Sequence, residues 1–142
     1  MTSLTHAAAK AIVDGALAHA GANAFKPIAV LVLDAGGHPI AFERQDGASL
    51  FRFDIAKAKA VGALGMGMDS RAITAAANER PSFFQGVAAA VGGQIAFSPG
   101  GVLIRDEAGA VIGAVGISGD TGDNDEVAAL AGIAGAGLYG GC

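Results

Sequence analysis

Charge is what this sequence has least of. Asp, Glu, Lys and Arg make up 15% of its 142 residues, against the quarter or so usual for soluble domains. A surface with so little polar material leaves apolar area best covered by other copies of the chain, so a homo-oligomer, dimer or larger, is expected. The nine basic residues form no cluster and the net charge is −4, which argues against nucleic-acid binding. Cysteine occurs once, at Cys142, so an intramolecular disulfide is excluded, as is a Cys cluster for zinc or iron–sulfur. Every apolar run is interrupted by glycine well short of about 18 residues, so no membrane span is expected. The N-terminus has no basic segment followed by an apolar core; no signal peptide is read there, and a cytoplasmic location is the default. Glycine is plentiful, 23 residues of 142, and the length suits one domain, 1–142, with a real core.

Hydrophobic spacing gives the elements. Leu4 to Ala22 reads as a helix, with Ser3 as its N-cap. Lys10, Asp14 and His6 share its polar side, and His19 falls in the apolar arc between Ala8 and Ile12. A histidine there is either a partly buried one with a single hydrogen bond or one that faces a ligand, able to coordinate haem iron or move a proton. Ile28 to Leu33, the turn Asp34-Ala-Gly-Gly37 and Pro39 to Glu43 form a β-hairpin, with His38 at the start of its second strand. A helix of about 15 residues runs to Leu64, capped by Ser49 or Asp46. In it Lys57 and Lys59 point about 160° apart. Lys57 is placed to pair locally with Asp54, and Lys59 is the better candidate for a lysine turned toward a pocket or subunit boundary. Ser70 to Asn78 is a short helix broken at Arg80-Pro81. Residues 82–93 fit no pattern cleanly, and Phe83, Phe84 and Val87 read as core or interface residues. Gln94 to Ser98, Val102 to Arg105 and Val111 to Ile117 read as three strands in an antiparallel meander, the last of them central. A final helix starts at a capping box of Asp123 and Glu126 and buries Val127, Leu130, Ala131, Ala134 and Leu138.

Motifs of established chemistry are mostly missing. The loop GISGDTG at 116–122 follows a strand and precedes a helix, yet it matches neither GxGxxG nor a P-loop. Its acids, Asp120, Asp123 and Asp125, repel phosphate and lack EF-hand spacing. There is no GxSxG, no HExxH and no metal-ligand set, and Cys142 without a base is a poor nucleophile. What remains is Arg44, Asp46, Lys59, Arg105 and Glu126. In a chain this poor in charge they form either a structural ion-pair network or a pocket. In the pocket, Arg44 or Lys59 holds a carboxylate while Asp46 or Glu126 works as general acid or base.

Three segments are familiar together. LDAGGHPIAFERQDGAS (33–49), the spacing Ala56, Lys59, Ala60, Ala63, and SPGGVLIRDEAGAVIGAVGISGDTGDNDEVA (98–128) resemble the haem-degrading, or GlcG-like, family. The same domain occurs in HbpS-type proteins and at the C-terminus of a cobalamin adenosyltransferase. The resemblance spans nearly the whole chain. It implies an α/β (α+β) fold: a mainly antiparallel five-stranded sheet with helices packed on it, of profilin-like architecture, assembled into dimers or rings. It further implies haem or tetrapyrrole binding in some members, with slow oxidative haem breakdown. By position Arg44, Asp46, Gly47, Lys59, Gly100, Gly101 and Glu126 match the family pattern. Leu103 replaces the usual proline of a pocket-lining loop, and His19 and His38 are the candidate axial ligands.

Two functions stand open from the sequence, with haem the one cofactor in view and no metal site of the chain's own. In one, the oligomer binds haem or another planar, carboxylate-bearing small molecule. In the other, a cofactor-independent isomerase, tautomerase or hydratase acts on a small organic acid of a catabolic pathway, with Asp46, Glu126 and Lys59 catalytic. An accessory subunit with no ligand is the plainest alternative.

Overall fold

The computed structural model of this chain describes residues 3–141; Cys142 lies outside the described residues. Among them the order is α1 (His6–Ala22), β1 (Ala29–Asp34), β2 (Pro39–Arg44), α2 (Arg52–Met66), α3 (Ser70–Glu79), α4 (Pro81–Ala90), β3 (Gly101–Arg105), β4 (Val111–Ser118) and α5 (Gly122–Gly135). The strands make one antiparallel sheet in the order β2-β1-β4-β3, two hairpins side by side. The most continuous apolar runs, β1 and β4, are therefore central, as strands covered on both faces must be. Val30, Val32, Val115 and Ile117 enter one core, completed by α1 and α5 through Ile12, Val13, Ala129 and Ile133. The intervening Leu31, Leu33 and Ala114 enter the other, against Ala56, Ala60 and Ala63 of α2. No helix among the described residues is long and apolar enough to cross a membrane.

Glycine sets how close α2 lies. A Cβ at Gly116 would meet the carbonyl of Ala56, and one at Gly101 the carbonyl of Lys59. Small residues on both sides let the helix backbone rest almost directly on the sheet. That close seat is what brings the long side chain of Lys59 across to the end of β4.

The sheet has four strands, not the five expected, because Gln94 to Ser98 forms none. The edge of β3 has no room for it. The N–H of Gly101 donates to Ser70 Oγ (2.8 Å), that of Leu103 to Asp69 Oδ1 (2.9 Å) and that of Arg105 to the carbonyl of Tyr139 (2.8 Å). With its edge donors engaged, β3 offers no ladder. Ile95 instead packs with Ile73 and Phe84 below α2. Residues 82–93 fall largely in α4, which begins at Pro81, a favoured first helical residue. Leu103 is a buried strand residue rather than part of a loop.

Helix starts differ from expectation in detail. The N-cap of α1 is Thr5, whose hydroxyl accepts from the N–H of Ala8. Phe51 stands at the start of α2 with no side-chain cap, so neither Ser49 nor Asp46 plays that part. Thr121 caps α5 by accepting from Asn124, in place of the Asp123–Glu126 box. The buried stripe of α5 is Asp125, Ala128, Ala129, Gly132 and Ile133, and Val127 is exposed. The helix turns its small residues inward, and Gly132 lies directly against the carbonyl of Ile12 in α1.

Two glycine substitutions should separate these roles. Gly116→Ala should lower stability by about 1–3 kcal/mol through overpacking. Gly21→Ala, in open space on α1, should raise it by roughly 0.5–1 kcal/mol. Urea denaturation of both variants measures the contrast.

Candidate functional site

Two segments that are remote in sequence form a groove of about 530 Å³, lined by Phe25, Pro27, Arg44, Gln45 and Asp46. The first two come from the α1–β1 connection and the others from the end of β2. Pairing of the hairpin sets them opposite one another: the N–H of Gln45 donates to the carbonyl of Ile28 (3.0 Å), and the N–H of Ile28 to Gln45 Oε1 (2.9 Å). Gly47 turns the chain beyond Asp46 with a φ of +87° and would touch Pro27 if it carried a Cβ. Arg44 and Asp46 are exposed, and Arg44 makes no ion pair among the described residues. Half-buried His19, in the last turn of α1, lies edge-on to the ring of Phe25, with centroids 5.7 Å apart.

Lys59 is elsewhere. It belongs to the sheet-facing stripe of α2 with Ala56, Ala60 and Ala63 and is 2% exposed. Its Nζ donates to the carbonyl of Ile117 (2.8 Å) and to Asp125 Oδ2 (3.1 Å). Asp125 is equally buried, and its other oxygen accepts from the N–H of Asp120 (3.0 Å). Burial pushes the Lys59 ammonium down from its ordinary value and the Asp125 carboxyl up, and each group opposes the other's shift. Gly100, with φ +126°, would place a Cβ 2.9 Å from that ammonium. Gly100 and Gly101 are thus the space in which Lys59 lies, and neither lines the groove.

Glu126 stands outside both places. Its carboxylate accepts from Arg71 Nε (3.0 Å), whose guanidinium also reaches Asp123. Together with Met68 and Leu130, Glu126 and Arg71 line a second cavity of about 350 Å³. His38 is exposed at the hairpin turn, where Asp34 Oδ1 accepts from the N–H groups of Gly36 and His38. Of the residues singled out from sequence, the structure brings Arg44 and Asp46 together with Gly47 just beyond them, and sets His19 against the groove residue Phe25. It does not bring Lys59, Glu126, Gly100, Gly101 or His38 to them. Among the described residues no group of three or more His, Cys, Asp or Glu could hold a metal ion.

Phe25, Gln45, Asp120 and Asp125 were missed. Asp125 carried a usable signal: it is in helical phase with Ala128, Ala129 and Gly132, the buried stripe. Phe25 and Asp120 carried none, since only tertiary packing brings Asp120 to the N–H of Lys26, 94 positions away and next to Phe25.

The buried pair makes two expectations. Lys59→Met should cost about 3–5 kcal/mol, because it leaves the Asp125 carboxylate buried and unpaired, while Lys59→Met/Asp125→Leu should recover most of that loss. Denaturant melts of both read it. The second concerns acid. Backbone N–H groups of Lys26 and Thr121, with the Asn124 amide, hold Asp120 below its ordinary value. Its stabilisation is therefore fully present above the unfolded value near ~3.9 and is lost as pH falls through the folded one. The stability advantage of the wild type over Asp120→Asn should accordingly shrink below about pH 4, as thermal melts across pH would show.

Comparison with known proteins gives the family. The family model described as haem degrading protein HbpS-like matches residues 4–134. No curated protein matches the chain. Among solved structures, the chain is similar to the PduOC–haem complex at 22% identity, with a TM-score of 0.88 over 97% of this chain and 98% of that one. It is similar to Klebsiella pneumoniae protein ORFY, of DUF336, at 26% identity and TM-score 0.87, covering 96% and 93%. HbpS follows at 26% and 0.80, covering 94% and 90%. The first of these likenesses shows the fold alone; the family match covers nearly the whole sequence. The chain belongs to the HbpS-like family of haem-degrading proteins.

Proposed function

We propose that this chain binds haem, or a similar planar and carboxylate-bearing molecule, in the groove between the α1–β1 connection and the end of β2. One observation carries the reading: Phe25 and Arg44 line the groove together, and half-buried His19 lies edge-on against the Phe25 ring. A tetrapyrrole asks for a flat apolar surface, a cation for a propionate and a neutral nitrogen for the iron. Phe25 and Pro27 supply the first, Arg44 the second and His19 the third. Membership of the HbpS-like family supports haem as the ligand.

The residues fit one face of such a group. The groove is open on its other side, so a second copy of the chain would supply the remaining wall, and the homo-oligomer expected from composition is part of the reading. His38, exposed and held in its turn by Asp34, is the weaker candidate ligand. Bound haem would supply the redox chemistry for slow haem breakdown. The chain's own part is to seat the ring on Phe25, hold a propionate with Arg44 and present Asp46 at the same groove as a group able to carry a proton.

The cofactor-independent enzyme would need Arg44, Asp46, Lys59 and Glu126 around one substrate. Lys59 is engaged with Asp125 and Glu126 with Arg71, so that reading keeps only Arg44 and Asp46, and nothing further favours it.

Titration with hemin, followed in the Soret band, tests the proposal. The wild type should saturate. His19→Ala should move the band and weaken binding at least about tenfold, and Arg44→Ala should weaken it by a similar factor, the loss of one charge-assisted contact. His38→Ala should behave as wild type. Absence of a saturable shift, or a shift untouched by both histidine variants, overturns the reading.

A further inference from the structure

The inner wall of the groove is held from a distance. Lys26 lies between Phe25 and Pro27, and its backbone N–H donates to Asp120 Oδ2 over 2.6 Å. The other oxygen of Asp120 is occupied by the N–H of Thr121 (2.7 Å) and the amide of Asn124 (2.8 Å). The carboxylate therefore has one orientation. The N–H of Asp120 donates to Asp125 Oδ1, and Asp125 Oδ2 receives Lys59 Nζ, which is anchored in turn on the carbonyl of Ile117. An unbroken run of charge-assisted hydrogen bonds thus leads from the core of α2 to the backbone between two groove residues. Gly119, with φ +148°, lies against the carbonyl of Pro27, where a Cβ would clash, so the same loop also meets the wall by direct contact.

Resting on the haem reading for what the groove holds, we propose that Lys59 and Asp125 are positioning residues of the groove: acting through Asp120, they fix the Phe25–Pro27 wall against the end of β2. A buried ion pair is a poor stabiliser compared with apolar side chains of the same volume. What the pair supplies here is direction. Lys59 reaches two acceptors near the end of β4, and that aims the second oxygen of Asp125 at the turn carrying Asp120. An apolar pair in the same space would fill the core and leave the turn, and Lys26 beyond it, without that constraint. Lys59 touches no groove residue and is not catalytic.

The test reads amide exchange at Lys26 by NMR, together with hemin affinity. Asp120→Ala, at the solvent side of the run, should speed Lys26 exchange and weaken hemin binding, each about tenfold, as for one charge-assisted hydrogen bond. Lys59→Met/Asp125→Leu, folded by circular dichroism, should do the same although it is far from the ligand. Asp120→Asn, which keeps one acceptor for Lys26 but loses the charge and turns an amide NH2 toward the donors of Thr121 and Asn124, should recover only part of both effects. Gly113→Ala, whose Cβ would meet the carbonyl of Leu33, lowers global stability without touching the run and should leave hemin affinity unchanged. Wild-type exchange and affinity in the folded double variant overturn the proposal. Should that variant not fold, Asp125→Asn replaces it, with faster Lys26 exchange expected and wild-type exchange overturning. If the wild type itself does not bind hemin, the haem reading falls, and Lys26 exchange alone decides the positioning role.

Discussion

The ion pair of Lys59 and Asp125 is the constraint on which the arrangement turns. Both groups are 2% exposed, in surroundings where an unpaired charge is strongly disfavoured. Neither can leave without stranding the other, so α2, the end of β4 and the first turn of α5 are held in one relation. The packing around them follows from that need. Gly100 and Gly101 leave the volume the lysine occupies, and a methyl group at either position would meet Lys59 itself. The carbonyl of Ile117, at the end of the central strand, takes one of the lysine's protons. A chain with so few charges has placed this opposed pair in its interior, where electrostatic interactions are least screened.

Around this pair the fold is ordinary in its physics. Strands buried on both faces place alternate side chains into two cores, and small residues on the helices let them approach closely. Gly15 and Gly132 do for α1 and α5 what Gly116 does for α2. Close approach maximises apolar contact where the side chains are short. The sheet edge at β3 is closed by Ser70, Asp69 and Tyr139, while β2 carries Pro39 and a bulge opposite Val32 and Leu33. Both edges are thereby blunted against pairing with other strands.

The groove is a surface feature hung from this frame. Its residues come from loops and strand ends, where a scaffold usually carries its binding chemistry. Arg44 and Asp46 face solvent, so their charges cost little until a ligand or a second copy covers them. On the reading proposed above, the deep pair sets shape in the dry interior and the exposed groove makes contact at its open face. Glu126 and Arg71 belong to neither place. Together with Asp123 they tie the start of α5 to α3.

The sequence alone determined the hairpins, the length of most helices, the central place of Val111 to Ile117 and the family, because these rest on local periodicity and on strings of adjacent residues. It showed that Lys59 points opposite to Lys57, since helical phase is a local property. It did not determine the lysine's partner: Asp125 and Glu126 are neighbours in the chain, and only the docking of α5 on the sheet decides which is buried. The missing fifth strand was decided in the same way. Gln94 to Ser98 has strand composition, but a strand needs a free edge, and side chains from 31 to 34 positions away had already taken the donors of Gly101 and Leu103. The groove, which joins Phe25 to Arg44 across a hairpin and is braced from residue 120, exists only in the folded chain. Contacts between remote segments depend on how whole layers pack, and no window of sequence contains that information.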